Sequence, residues 1–199
     1  MVSKFYSKAP LRLGLGGGGT DIPSYFENFG GNVLNVTIDK FVYSTLITLD
    51  EKEIVFCALD LNTKIKFNLN DEIVIEGNLK LHKAVYCYMI NNFNQKKRIP
   101  LSISTFCEAP LGSGLGSSST IVVSLIKVMA DFLSLNLDKE ELAFHAFIIE
   151  REFCGLAGGK QDHYAAVFGG INFMEFNCNN RVIINKLAVN KSVVSQLES

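Results

Sequence analysis

The sequence predicts a single domain that combines antiparallel strands with helices. Short runs rich in β-branched and aromatic residues, separated by polar turns such as 50–52, occupy most of positions 33–75 and favour antiparallel pairing. Later segments carry apolar residues at helical spacing. The chain has 199 residues, of which 48% are hydrophobic and 20% charged, and this composition supports one ordinary core.

The sequence predicts nine strands and five helices. Strands are predicted at 5–13, 33–38, 41–49, 54–58, 63–69, 73–75, 99–106, 171–176 and 181–189. Helices are predicted for two turns after Pro23, over 80–93, through the apolar stripe at 122–133, from Asp138, and in a short segment after Asp162. Asp138 and Glu141 form an approximate capping box for the fourth of these helices. Its predicted apolar stripe consists of Leu142, Ala146, Ile149 and Phe153.

The charge and cysteine content exclude several classes of protein. A net charge of -1 gives no overall attraction to nucleic acid or to an anionic membrane. The five cysteines are widely spaced without a CxxC motif, so we expect reduced core residues: Cys57, Cys87, Cys107, Cys154 and Cys178. No signal peptide and no membrane-spanning run are recognisable, and a cytoplasmic location is predicted.

A glycine- and serine-rich loop at 110–120 lies between a predicted strand and a predicted helix. Its alternating glycines allow backbone N–H groups to converge on one anion. The first turn of the helix adds free N–H groups and the positive end of the helix dipole, with the hydroxyls at 117–120 as caps or ligands. The loop therefore predicts phosphate binding, although an ordinary turn with a serine cap is the alternative. It lacks the Gly-Lys-Ser/Thr end of a Walker loop, so a cation must come from elsewhere.

An earlier glycine-rich loop, at 14–21 and called the first loop below, contains the spacing GxGxxG at Gly14, Gly16 and Gly19. This spacing raises the alternative of a dinucleotide-binding Rossmann unit. Such a unit needs a full crossover helix, whereas Pro23 and the glycines at 30–31 leave room for about two turns.

Two carboxylates flank a third glycine-containing loop, at 155–160. At 100° per residue, Glu150 falls at the margin of the buried helix stripe and Arg151 on the opposite side. Glu150 is predicted either to form a salt bridge or to bind a metal ion. Asp162 is either the N-cap of the next helix or a functional group. His82 and His145 have no partner at ligand spacing and are not predicted to bind metal.

Together these motifs resemble the GHMP small-molecule kinases. The phosphate motif of that family, Pro-x-x-x-Gly-Leu-x-Ser-Ser, is matched by Pro110, Gly114, Leu115, Ser117 and Ser118. Its N-terminal signature is similar to residues 9–12 followed by Asp21. The wider patterns at 12–21 and 158–162 are similar to the D-glycero-D-manno-heptose 7-phosphate kinase branch, with fucokinase-type enzymes next, and Gly18-Gly19 argues against galactose as the substrate.

The resemblance implies an α+β fold like the second domain of ribosomal protein S5, with mixed strands packed against helices on one side. It implies that residues 1–190 form the ATP-binding N-terminal domain and that 191–199 begin a truncated C-terminal domain. Exposed apolar surface around that domain's docking position would favour a homodimer.

The resemblance also implies ATP-dependent phosphorylation of the anomeric hydroxyl of D-glycero-D-manno-heptose 7-phosphate to the 1,7-bisphosphate, in the biosynthesis of nucleotide-activated heptose. The implied catalytic residues are Asp162 and Arg12. The implied ATP-binding residues are Pro110, Gly112, Ser113, Gly114, Leu115, Gly116, Ser117 and Ser118. The implied sugar-binding residues are Gly17, Gly18, Gly19, Thr20 and Asp21, and the implied Mg²⁺ ligands are Ser118 and Glu150. Another GHMP sugar kinase such as fucokinase, a non-catalytic phosphate- or sugar-binding fragment and an NAD-dependent oxidoreductase are the alternatives.

Overall fold

A computed structural model of the chain describes residues 2–110, 112–190, 192, 195 and 196. Within these residues the strands are β1 Lys4–Gly16, β2 Gly31–Thr48, β3 Glu53–Ala58, β4 Thr63–Asn68, β5 Leu101–Cys107, β6 Ile171–Phe176 and β7 Val182–Lys186. The helices are α1 Pro23–Phe29, α2 Lys80–Phe93, α3 Ser117–Leu133, α4 Lys139–Phe147 and α5 Gln161–Phe168, and a π-helical turn, Ile148–Phe153, follows α4. Apart from 192, 195 and 196, the predicted start of a further domain at 191–199 lies outside the described residues. So does Leu111 of the glycine- and serine-rich loop at 110–120, which is called the phosphate loop below.

The strands form one mixed sheet with the order β4-β3-β5-β2-β6-β7, and β1 pairs with β2. The long strand β2 pairs with β6 through 31–36 and with β5 through 42–48. The described strand pairs are antiparallel except β3 with β5, which is parallel. The predicted α+β fold is therefore confirmed.

Some predicted strand boundaries are wrong. The predicted strands 33–38 and 41–49 form one continuous strand, β2, and β7 ends before the predicted boundary at 189. The predicted strand 73–75 is irregular. Ile73 is buried, but Arg98 donates from Nη1 to the backbone carbonyl oxygens of Leu69, at 3.1 Å, and Asp71. A side chain therefore satisfies the backbone that follows β4.

The main hydrophobic core lies between the sheet and helices α2 and α3. Alternate strand residues face this core, because successive side chains of a strand point to opposite faces. Core residues include Leu11, Val42, Leu46, Ile103, Val85, Met89, Val122 and Ile126. The helix predicted over 80–93 is thus confirmed as α2. The cysteines are free thiols, but Cys178 is exposed, contrary to the prediction of core cysteines. No helix in the described part of the chain could span a membrane.

The end of α4 departs from the α-helical pattern assumed in the sequence prediction. Its start is confirmed, because Asp138 and Glu141 form both bonds of a capping box. At the end, however, the amide of Cys154 donates to the carbonyl of Ile149 at 2.9 Å, an i→i+5 bond. This wider π-helical turn rotates the following side chains relative to an α-helix. Phe153 is consequently 43% exposed, although it was predicted to be buried.

Candidate active site

The phosphate loop connects β5 to α3 in the predicted position. Gly112, Gly114 and Gly116 have φ values of 78°, 74° and 75°, and this left-handed backbone favours glycine. Gly116 is the N-cap of α3, and no described side chain caps that helix, so the hydroxyls at 117–120 are not caps, and their role as ligands stays a prediction. The first amides of α3 lack intrahelical acceptors and lie at the positive end of a 17-residue helix.

Three loops that are distant in sequence line one cleft of about 510 Å³. The described lining residues that match predicted site residues are Arg12, Gly19, Asp21, Gly112, Gly114, Gly116, Ser117, Ser118, Glu150 and Asp162. The fold therefore brings most of the predicted site together.

Arg12 and Asp162 form an ion pair within this cleft. Nε and Nη2 of Arg12 lie 2.7 and 2.6 Å from the same oxygen, Oδ1 of Asp162. Arg12 also donates from Nη1 to the carbonyl of Gly114 at 2.6 Å, and its amide donates to the carbonyl of Leu115 at 3.1 Å. Arg12 consequently fixes Asp162 relative to the phosphate loop.

The second oxygen of Asp162 approaches the phosphate loop directly. A Cβ atom placed on Gly116 would lie 3.3 Å from Oδ2 of Asp162 and 3.4 Å from Cγ of Arg12. The absence of a side chain at Gly116 thus allows the carboxylate to approach the start of α3. Asp162 lies in the first turn of α5, whose N-cap is Lys160, so the alternative that Asp162 is the N-cap is wrong.

Glu150 lies on the π-helical turn, and its carboxylate bonds to two other elements. Its Oε1 accepts a hydrogen bond from Ser118 at 2.5 Å, and its Oε2 accepts bonds from Ser119 and His163, both at 2.6 Å. Glu150 is 1% exposed, so it is fully buried and not at the margin of a stripe. Nη1 of Arg151 lies 3.4 Å from Oε1, which contradicts the prediction that Arg151 points away.

These contacts determine the charge of Glu150. Burial alone would raise the pKa of its carboxyl group. The hydrogen bond from His163, the positive charge of Arg151 and the hydrogen bond from Ser118 outweigh burial and lower that pKa to about 2. Glu150 is therefore a buried anion at neutral pH.

The donor set suits a magnesium ion that is also bound by phosphates. Oε1 of Glu150 and Oγ of Ser118 are hard oxygen donors, and both residues line the cleft. Among the described residues, no cluster of three or more His, Cys, Asp or Glu side chains could hold a metal ion. Mg²⁺ typically binds through one or two carboxylates, retained waters and substrate phosphates, so the two residues fit such an ion.

Asp21 joins the first glycine-rich loop to α5. Its Oδ2 accepts the amide of Gln161 at 2.9 Å, and its Oδ1 accepts the amide of Gly19 at 3.1 Å and Nε2 of Gln161 at 3.2 Å. A Cβ atom on Gly159 would lie 1.9 Å from Oδ2 of Asp21, so only glycine fits there. Asp21 thus has a structural task, and its role as a sugar ligand stays a prediction.

The other predicted sugar- and phosphate-binding residues do not line this cleft. The hydroxyl of Thr20 accepts the amide of Asn32 and lies within hydrogen-bond distance of the carbonyl oxygens of Asn32 and Gly17, so it holds the first loop against β2. A second cleft of about 400 Å³ is lined in part by Gly18, Ser113 and Leu115. Gly17, Thr20 and Pro110 line neither cleft.

Sequence reasoning missed several residues of the site. Arg151 contacts Ser119, at 3.4 Å, and the carbonyls of the third loop, including that of Ala157 at 3.1 Å. His163, which directly follows Asp162, bonds to Glu150. Gln161 lines both clefts. For Gln161 and His163 the available signal was the run of consecutive polar residues at 160–163, which begins a helix.

Known proteins are similar to this chain in sequence and fold. Residues 80–170 match the family model described as the GHMP kinases N terminal domain. A D-glycero-alpha-D-manno-heptose 7-phosphate kinase from Campylobacter jejuni subsp. jejuni is 44% identical over 193 residues, which cover 97% of this chain and 57% of the relative. The chain contains the N-terminal domain of the GHMP kinase family. This confirms the resemblance deduced from the motifs.

The relatives also define the extent of the similarity. The crystal structure of a D-glycero-D-manno-heptose 1-phosphate kinase from Bacteriodes thetaiotaomicron has a TM-score of 0.92 and 41% identity, covering 100% of this chain and 63% of that chain. An L-fucokinase/L-fucose-1-P guanylyltransferase from Bacteroides fragilis is 25% identical, covering 85% of this chain and 20% of the relative. The chain thus spans less than two thirds of the length of these relatives.

The GHMP kinase fold also excludes the Rossmann alternative for the first loop. β1 pairs antiparallel with β2, and α1 between them has seven residues. A Rossmann unit instead connects parallel strands through a longer crossover helix. The GxGxxG spacing therefore belongs to a different structure.

Proposed function

We propose that this chain forms the nucleotide-binding part of a kinase that transfers the γ-phosphoryl group of ATP to a hydroxyl group of a heptose phosphate. The observation that carries the proposal is the approach of Asp162 to Gly116. It puts a carboxylate beside a loop suited to phosphate, and phosphoryl transfer needs a hydroxyl group and a phosphate held side by side.

The phosphates of ATP would lie on the amides of 112–118. Besides phosphates, ATP carries an aromatic base whose faces are apolar. A cleft of about 150 Å³ beside α3 suits such a ring, and its largely apolar lining includes Ala58, Leu61, Leu79 and Ile121. Ile121 follows Ser117 and Ser118 by about one helical turn, so one ligand could reach both sites.

Ser118 and Glu150 would hold Mg²⁺ between them and the phosphates of ATP. When bound, the ion neutralises charge on the phosphoryl oxygens. Arg12 supplies the additional positive charge that the loop itself lacks, since the loop contains no lysine.

Asp162 would act as the general base. Arg12 holds Oδ1, which leaves Oδ2 to accept the proton of the sugar hydroxyl group. The hydroxyl oxygen then forms a bond to the γ-phosphorus, the bond from that phosphorus to the β,γ-bridging oxygen breaks, and ADP leaves. At the end of the transfer the proton is on Asp162 and the phosphoryl group is on the sugar oxygen.

The relatives support a heptose phosphate as the acceptor but differ in detail. The name of one states a heptose 7-phosphate and that of the other a heptose 1-phosphate. We favour the anomeric hydroxyl of D-glycero-D-manno-heptose 7-phosphate, giving the 1,7-bisphosphate for nucleotide-activated heptose. Gly19 and Asp21 line the cleft near Asp162 and would contact sugar hydroxyls. Fucose is less well supported, because the fucokinase relative is only 25% identical.

A non-catalytic binding role is a second candidate, because the chain covers 57% of the curated heptose kinase relative. Such a fragment would bind ADP or sugar phosphate without turnover. Turnover by the 199-residue chain separates the two candidates.

The proposal is tested by incubating the chain with ATP, Mg²⁺ and either heptose 7-phosphate or heptose 1-phosphate, and identifying the product by ³¹P NMR. We expect the 7-phosphate to be converted to the 1,7-bisphosphate far more slowly than by a full-length kinase, because the chain spans 57% of the heptose kinase relative. Asp162→Asn should reduce the rate about 10²- to 10⁴-fold and retain ADP affinity, because the phosphate loop is unchanged.

Asp131→Asn is the matched control, since Asp131 is an exposed residue on α3 outside the cleft. Near-normal turnover by Asp162→Asn would contradict its role as the base. ADP binding without turnover by the unmodified chain would favour the non-catalytic candidate.

A further inference from the structure

A fully buried histidine, His163, lies behind the cleft, next to Glu150. His163 is 0% exposed and is not among the residues that line the cleft. Its Nε2 lies 2.6 Å from Oε2 of Glu150, while Nδ1 has no hydrogen-bond partner among the described residues. His163 therefore cannot touch a nucleotide or a sugar, and its polar contact is with the carboxylate.

The two oxygens of Glu150 differ in their partners. Oε2 receives two short hydrogen bonds, one from Ser119 and one from His163. A carboxylate oxygen has about two lone-pair sites, so Oε2 has no lone pair left for a cation. Oε1 receives one short bond, from Ser118, and a 3.4 Å contact from Arg151.

We propose that His163 is a positioning residue: together with Ser119 it holds Oε2 of Glu150, so that Oε1, beside Ser118, is the oxygen presented to the metal ion. This inference rests on the proposed function, because it assigns the orientation of the predicted metal ligand. The carboxylate accepts both bonds, so the proton of the His163–Glu150 bond resides on Nε2 of the imidazole.

The position of His163 also connects the two predicted functional carboxylates. It follows Asp162 in the first turn of α5, while Glu150 lies on the π-helical turn. The same helical turn therefore fixes the candidate base through Arg12 and the candidate metal ligand through His163. Without the imidazole, the Glu150 carboxylate would rotate more freely and hold a cation less well. Loss of groups that orient a metal ligand typically lowers metal affinity about 10- to 100-fold.

The test compares ADP affinity with and without a metal ion. The dissociation constant of ADP is measured by calorimetry on the 199-residue chain, once with EDTA and once with saturating Mn²⁺ as a probe for Mg²⁺. The dissociation constant in EDTA divided by the dissociation constant in Mn²⁺ reports the metal contribution alone. We expect His163→Leu to reduce this ratio about 10-fold or more, with ADP affinity in EDTA unchanged. His163→Gln should retain most of the ratio, because its amide keeps an N–H donor.

Ser119→Ala removes the other donor to Oε2, so it tests the same oxygen even if His163→Leu fails to fold. It should also reduce the ratio. His145→Leu is the control, because His145 lies on α4 and bonds through Nδ1 to the hydroxyl of Tyr88, away from the cleft. Circular dichroism and thermal melting establish that each variant is folded at the assay temperature.

The outcomes separate this inference from the proposed function. The role of His163 would be overturned if Mn²⁺ strengthens ADP binding to the unmodified chain and strengthens it equally in folded Ser119→Ala and His163→Leu. So would a His163→Gln variant as defective as His163→Leu. Equal ADP affinity with and without Mn²⁺ in the unmodified chain would instead overturn the proposed metal site, and this inference with it.

Discussion

Two buried histidines lie in regions with opposite surroundings. His82, on α2, has Nε2 2.9 Å from the hydroxyl of Thr105, and its ring packs beside that of Phe56. His163, on α5, has Nε2 2.6 Å from the carboxylate of Glu150. The first region is largely apolar with a neutral partner, and the second gathers hydroxyl groups and a guanidinium group around an anion.

The two regions respond differently to burial. Burial lowers the pKa of His82 to about 4, because few partners stabilise its charged form. Burial alone would raise the pKa of Glu150, yet the donors around it lower that pKa to about 2. Burial therefore decides the charge state of a side chain where its partners are few and neutral. Several converging donors reverse that result, and such a cluster marks the candidate active site.

The largest effect is expected from breaking the polar region at its centre. Glu150→Gln and Ser118→Ala should each raise the Mg²⁺ concentration needed for half-maximal phosphoryl transfer by roughly tenfold or more, since both are predicted ligands of one ion. The double variant should show less than the sum of the two effects. Titrations of Mg²⁺ against activity measure this. An unchanged Mg²⁺ requirement in Glu150→Gln would leave Glu150 as part of a structural ion pair.

The apolar region should determine part of the pH dependence of stability. The pKa of His82 is about 4 in the folded chain and near 6.5 in the unfolded chain. The unfolded chain therefore binds the proton first as pH falls, so His82 is expected to cost on the order of 3 kcal/mol of stability between pH 6.5 and pH 4, with no further loss below.

His82→Gln should remove most of this loss, because glutamine does not titrate. Urea unfolding at pH 7 and pH 4 compares the free energy of unfolding of the two proteins. An equal loss in both would show that His82 is already accessible to protons in the folded chain.

The smallest effects should come from removing one hydroxyl partner in each region. Thr105→Val should lower the free energy of unfolding by about 1 kcal/mol, and Ser119→Ala by about 2 kcal/mol, because hydrogen bonds to charged groups are stronger. Only Ser119→Ala should change the effect of Mn²⁺ on ADP affinity. Thermal melts and the ADP titrations described above test both statements. A change of the Mn²⁺ effect in Thr105→Val would remove the distinction between the regions.

The sequence by itself determined most of the local structure. Alternating and helical apolar patterns located most strands and the main helices, because such patterns depend on neighbours along the chain. The capping box at Asp138 and the glycines at 112–116 were equally readable, since both act within a few residues. The motifs were sufficient to indicate the GHMP kinase family. The segment 73–75, predicted as a strand, is irregular, and Arg98, distant in sequence, bonds to the backbone carbonyls of Leu69 and Asp71 just before it.

Only the tertiary structure decided the arrangement of the site. Arg12 and Asp162 are 150 positions apart, and their pairing depends on packing of α5 against β1. The π-helical turn altered the faces of Glu150 and Arg151, and a fixed angle of 100° per residue does not anticipate it. The role of His163 arose likewise from an approach between α5 and that turn. Buried charges need donors from several elements at once, and the sequence order does not specify which elements meet.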